Sequence, residues 1–128
     1  VIRLALLATL GCSPLPISDA SDGALEIVAG LVPVEAGPGP ILVIREDRDR
    51  ADSTGVADQD GCIRKVRIPD CACPVIEAHE IGHALGLDHV KDRTNVMDVA
   101  ARGTEWSDAQ RRRAEIAYNF LVTCPHEE

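Results

Sequence analysis

The chain has 128 residues, enough for one domain with a real core but too few for inserted subdomains. With one Trp, one Tyr and one Phe, that core has to be assembled from Val, Ile, Leu and Ala. A formal net charge of −8 argues against nucleic acid or an anionic membrane surface as a partner, and weakly favours a mildly basic peptide.

Val1 to Gly11 joins one basic residue to a short apolar run, the pattern of an export signal and too short to span a bilayer. Leu10-Gly11-Cys12-Ser13 resembles a bacterial lipobox, in which the cysteine becomes lipidated, although Thr9 stands where Leu is usual. Residues 1–12 are therefore expected to be a signal or lipobox remnant, with Cys12 as the one possible membrane anchor. Residues 13–23, polar and proline-containing, read as a tether, which leaves 24–128 as the folded domain.

Ala24 to Val34 is apolar with an ambiguous period: Leu25, Val28 and Val32 suit a helical face, while Ile27, Ala29 and Leu31 alternate equally well. The run Glu35-Ala36-Gly37-Pro38-Gly39-Pro40 breaks regular structure and predicts a loop. Ile41 to Arg45 is a short aliphatic run between that breaker and charge, which reads as a buried central strand. Glu46 to Gly61 is acidic and turn-rich. Its carboxylates, Asp47, Asp49, Asp52, Asp58 and Asp60, could hold calcium, but the fixed ligand spacing of an EF-hand is missing and a solvated loop is the better reading. Cys62 to Ile68 alternates cleanly at Val66 and Ile68 and predicts a last strand.

If Cys12 is lipidated, four cysteines remain, and four allow three pairings. Cys71 and Cys73 are too close in sequence for an unstrained bridge, so each is expected to reach one of Cys62 and Cys124. A thiolate zinc site is disfavoured because the CxxC spacing is absent. Pro74 suits the first turn of a helix running to about Leu85, with Ala78, Ile81 and Leu85 facing the sheet.

That helix carries His79-Glu80-Ile81-Gly82-His83, followed by Ala84-Leu85-Gly86-Leu87-Asp88-His89: HExxHxxGxxH without a mismatch. Residues four apart share a helix face, so His79 and His83 can point at one metal ion with Glu80 beside them. Gly86 tolerates the left-handed conformation that ends a helix and lets the chain bring His89 back as a third ligand. Five fixed positions of these types arise by chance in a chain this size on the order of once in 10⁵ sequences. Asp88 either orients a histidine or is solvated.

Farther on, Thr94-Asn95-Val96-Met97-Asp98 holds the only methionine. Ser107 and Gln110 have capping-box spacing for a final helix with an apolar stripe through Ala109, Ile116, Ala117, Phe120 and Leu121, ending near Thr123, where Cys124 would staple it to the body. Arg111, Arg112 and Arg113 lie among Glu105, Asp108 and Glu115, which reads as a solvated face.

The histidine run resembles the zinc signature of the metzincin metallopeptidases, and Met97 sits where that clan has its Met-turn, an apolar floor under the metal. The Gly-Leu-Asp-His run and the short path to Met97 are most similar to the matrixin-like branch, particularly small bacterial members. The resemblance implies an α+β fold: a minimal zincin domain with a small twisted mixed sheet packed on an active-site helix, a Met-turn and a C-terminal helix. It places a first helix in the ambiguous stretch after Ala24, and makes Thr54-Gly55-Val56-Ala57 similar to the antiparallel edge strand above the cleft, with Gly55, Val56 and Ala57 as substrate-binding residues.

It further implies one zinc ion held by His79, His83 and His89, with Glu80 as general base toward a metal-activated water. The expectation is a monomeric endopeptidase, secreted or held in the cell envelope, acting on peptide or protein substrates. The alternative is a catalytically inactive zinc-binding surface lipoprotein.

Overall fold

The computed structural model describes residues 13–47 and 56–124, arranged as an α+β fold of five strands and three helices among those residues. In chain order they are β1 (Leu15–Ser18), α1 (Asp22–Val28), β2 (Val34–Ala36), β3 (Ile41–Glu46), β4 (Val56–Ala57), β5 (Arg64–Pro69), α2 (Pro74–Ala84) and α3 (Asp108–Val122). The sheet order is β2-β1-β3-β5-β4. Every neighbouring pair is parallel except β4 and β5, so the sheet is mixed and β4 forms an antiparallel edge.

Parallel neighbours need crossovers, and α1 supplies the one between β1 and β2. One face of the sheet carries Leu15, Ile17, Ile41, Val43, Val66 and Ile68, all buried, into a core shared with α1 and α2. The alternation of Val66 and Ile68 on β5 is therefore the signal of a sheet face that meets helices, while the unbroken aliphatic run of β3 marks its central place.

Four expectations are corrected. Residues 13–23 are not a tether: β1 runs between β2 and β3, with Leu15 and Ile17 fully buried, and α1 begins at Asp22 with Ser21 Oγ accepting from Ala24 N at 3.2 Å. Pro16 disguises the strand, because a proline argues against a central position.

Helix α1 stops at Val28, short of the expected span, and Gly30 and Leu31 turn the chain back through N–H bonds to Ile27 and Val28 carbonyls. The next residues then lie along the open side of β1 as β2, within what read as a breaker-rich loop.

The disulfide joins Cys62 to Cys124, with Cα atoms 5.6 Å apart, while Cys71 and Cys73 are unpaired and exposed. Cys62 precedes β5 and Cys71 follows it, and a strand of that length separates its ends by about 20 Å. The end of α3 meets only the Cys62 end.

The expected stripe of α3 also shifts. The helix buries Gln110, Ala114, Tyr118 and Leu121, whereas Ile116 and Phe120 face outward. Tyr118 explains the choice: its hydroxyl donates to the Ser13 carbonyl, fastening α3 to the start of β1. Cys12 and Gly55 lie outside the described residues, as do Asp49 and Asp52.

Candidate metal centre

Helix α2 is fixed at both ends before its histidines are considered. At its start Glu77 is buried, accepting from the Ser21 amide at 2.8 Å and from the Arg45 guanidinium at 2.9 Å. The first turn is thereby tied to α1 and β3 at once. On the core side Ala78, Ile81, Ala84 and Leu85 are fully buried.

At the other end Gly86 takes a φ of +90°, Gly86 N bonds His83 O and Leu87 N bonds Gly82 O. This is a Schellman turn, which satisfies two of the carbonyls that a helix end leaves open. Arg64 Nη1 donates to Ala84 O at 2.6 Å and Arg113 Nε donates to Gly86 O at 2.7 Å, so two further carbonyls there have partners.

The turn aims His89 back at the helix. His79 Nε2 lies 3.3 Å and His83 Nε2 lies 3.1 Å from His89 Nε2. A tetrahedral zinc with Zn–N bonds of about 2.0–2.1 Å separates its nitrogen ligands by about 3.3 Å, so His89 already stands at that spacing from each of the other two rings, and all three ligand atoms lie within 4.8 Å of one another. They form the one group of three or more potential ligands among the described residues.

The other ring nitrogens of His79 and His83 are committed. His79 Nδ1 is 2.8 Å from Val96 O and His83 Nδ1 is 2.8 Å from Leu87 O. Carbonyls only accept, so both Nδ1 atoms carry the proton and both Nε2 lone pairs face the shared point. Burial, the larger effect, holds both imidazoles below the ordinary histidine pKa, against the opposing pull of those carbonyl bonds. The neutral form, which is the ligating one, is favoured. This donor set fits zinc.

Met97 is fully buried. A Cβ placed on Gly82 would come within 2.6 Å of the Met97 sulfur, so the thioether rests against the helix between the two ligand positions. The turn that carries it is clasped to α3: Asn95 and Gln110 exchange two amide bonds of 2.8 Å, and Asn95 Oδ1 also accepts from Met97 N at 2.8 Å. Gln110 completes the predicted capping box with Ser107.

The rings open into a cleft of about 550 Å³. Glu80 lines it beside the histidines, Val56 and Ala57 form part of its wall from β4, and Ile76 and Val99 to Ala101 add an apolar wall. Asp88 is exposed and faces Arg113 at 3.9 Å, so the ring-orienting acceptors are the Val96 and Leu87 carbonyls instead. Backbone atoms leave no mark in a sequence, and Glu77 and Arg64 gave no signal beyond being charged.

Residues 57–116 match the matrixin peptidase family, Peptidase M10. This stretch is similar to a matrixin-type zinc peptidase domain. The matched span of this matrixin-like domain runs from the edge strand through α2, the three histidines and the Met-turn into α3. No curated protein matches the chain.

Proposed function

We propose that this matrixin-like domain is an exported zinc endopeptidase, with His79, His83 and His89 as the zinc ligands and Glu80 as general base. The observation that carries the reading is the convergence of three Nε2 atoms beside a buried carboxylate in an open cleft. Bound zinc would supply Lewis-acid polarisation of the scissile carbonyl and a lowered pKa for the attacking water.

The chain's own residues supply the rest. An extended peptide pairs with the edge of β4 at Val56 and Ala57 and is held across the histidines. The Glu80 carboxylate takes a proton from the attacking water and delivers it to the departing amine nitrogen. Met97 keeps the floor apolar and the ligand helix at a fixed height. Export is supported by the Cys62–Cys124 bridge, since such bonds persist in oxidising compartments. No helix among the described residues is long and apolar enough to cross a membrane.

Cleavage of casein or a quenched-fluorescence peptide is the test. Glu80→Gln should lower kcat by about 10²–10⁴-fold, the range for loss of a general base, while one zinc per chain is retained. A chelator should abolish the activity of the unaltered protein. A fully zinc-loaded protein that cleaves nothing would favour the inactive zinc-binding alternative, and Glu80→Gln with undiminished kcat would remove the assigned base.

A further inference from the structure

A second groove lies across Gln59 from the metal cleft. It runs between the β4–β5 turn and the outer face of α3, measures about 610 Å³, and shares Gln59 as a wall with the cleft. Ile116 and Phe120, one helical turn apart, form its apolar ledge at 73% and 46% exposure. Neither belongs to the stripe that binds α3 to the core, and grouped exposed apolar side chains mark interaction sites more often than scattered ones.

The groove is rigidly built. The Cys62–Cys124 bridge ties its turn to the end of α3, and Arg64 beneath it donates to Gly61 O at 3.0 Å and to Ala84 O at 2.6 Å. Arg113 stands at the rim, its side chain 64% exposed, and Asp88 is 3.9 Å from its Nη2. Asp60 is the single carboxylate on the lining, against the two guanidinium groups.

We infer that this groove is an exosite for the substrate chain itself. A peptide lying along the edge of β4 continues past Asp58 to Gln59 and enters the groove. There it seats a bulky apolar side chain on Ile116 and Phe120 and sets a neighbouring acidic side chain against Arg113. Continuity of the two clefts at Gln59 carries the inference. Asp60 and Asp88 offset the two guanidinium groups nearby and Arg64 is buried, so the acidic preference rests on Arg113, the guanidinium that stands exposed at the rim. Preformed walls keep the ordering cost of binding low. The inference rests on the peptidase reading above, and specifies an apolar–acidic pair several residues from the scissile bond, since an extended chain advances about 3.3 Å per residue.

Three quenched-fluorescence peptides sharing one cleaved core test it: the core alone, and the core extended on either side by a six-residue segment containing Leu-Glu pairs. One extension should raise kcat/KM about tenfold, chiefly through KM, and the ratio of extended to core peptide should fall to about one in Ile116→Asp and in Arg113→Glu. Equal values for all three peptides with the unaltered enzyme, or a ratio untouched by Ile116→Asp, would overturn the exosite.

A binding measurement separates this from failure of the peptidase reading. The fluorescein-labelled extension alone, titrated with the Glu80→Gln protein, should give saturable anisotropy that Ile116→Asp abolishes. If no peptide is cleaved, the peptidase reading fails while this titration still decides the groove, and absence of saturable binding overturns it.

Discussion

Gly82 sits inside a helix, where alanine would ordinarily stabilise by about 1 kcal/mol. Here a Cβ meets the Met97 sulfur at 2.6 Å and the Trp106 ring at 3.4 Å, and Met97 is fully buried with little room to yield. Overpacking of that kind costs about 1–3 kcal/mol, so the contact outweighs propensity and Gly82→Ala should destabilise. Removing the sulfur reverses the sign. In a Met97→Ala background, itself costing about 2–5 kcal/mol through the cavity it leaves, the same Gly82→Ala change should become neutral or stabilising. Urea unfolding of the four proteins of this double-mutant cycle measures the coupling. Additive effects would mean that Met97 does not bear on the ligand helix. The spacing from His89 singled out Met97 in the sequence, but the glycine it leans on stands at an unspecified position of the histidine motif and carried no signal.

Elements were legible where a periodic signal was local. The α2 helix announced itself by a proline at its first turn, β3 by an aliphatic run between a breaker and charge and β5 by alternation, and Gly86 adopts the left-handed turn expected of it. Strand β1 was illegible because its place is set by partners: Ile17 pairs with Ala36 on one side and Ile41 on the other, and Pro16 cancels the local signal. The stripe of α3 failed for a related reason. Ile116 and Phe120 are more apolar than Tyr118, yet Tyr118 wins the core position through its hydroxyl bond to Ser13.

The cysteines show how far an element's ends can mislead. Local spacing pointed to Cys71 and Cys73 each bridging to one of Cys62 and Cys124, whereas the length of β5 keeps Cys71 away from the end of α3. Alkylation of the native protein followed by peptide mapping should therefore label Cys71 and Cys73 at once, and Cys62 and Cys124 only after reduction. Label on Cys62 before reduction would contradict the pairing. With a sequence separation of 62 between the bridged positions, loop-closure entropy gives the bridge about 4 kcal/mol, so Cys62→Ser should lower Tm by roughly 10 °C.

At the scale of the whole molecule, the question is whether zinc folds this domain or only loads it. The three ligands belong to one contiguous stretch, and the rings of His79 and His83 are held by Val96 and Leu87 carbonyls rather than by the ion. The main core lies on the other side of α2, built by the sheet, α1 and residues such as Ile81 and Leu85 that touch no ligand atom. Clamps at Glu77 and Arg64 hold the helix at both ends without the metal. The metal-free chain should thus keep its far-UV circular dichroism at room temperature. Zinc binds only the native state, so free ion at about a thousand times Kd adds about 4 kcal/mol and raises Tm by roughly 10 °C. His89 is the exposed ligand, which makes His89→Ala the informative variant. It should retain the metal-free Tm of the unaltered chain and lose most of the zinc-dependent rise, because two ring nitrogens remain but the third is gone. A metal-free protein without helical dichroism would reverse the argument, since the ion rather than the apolar core would then be the element around which the chain folds.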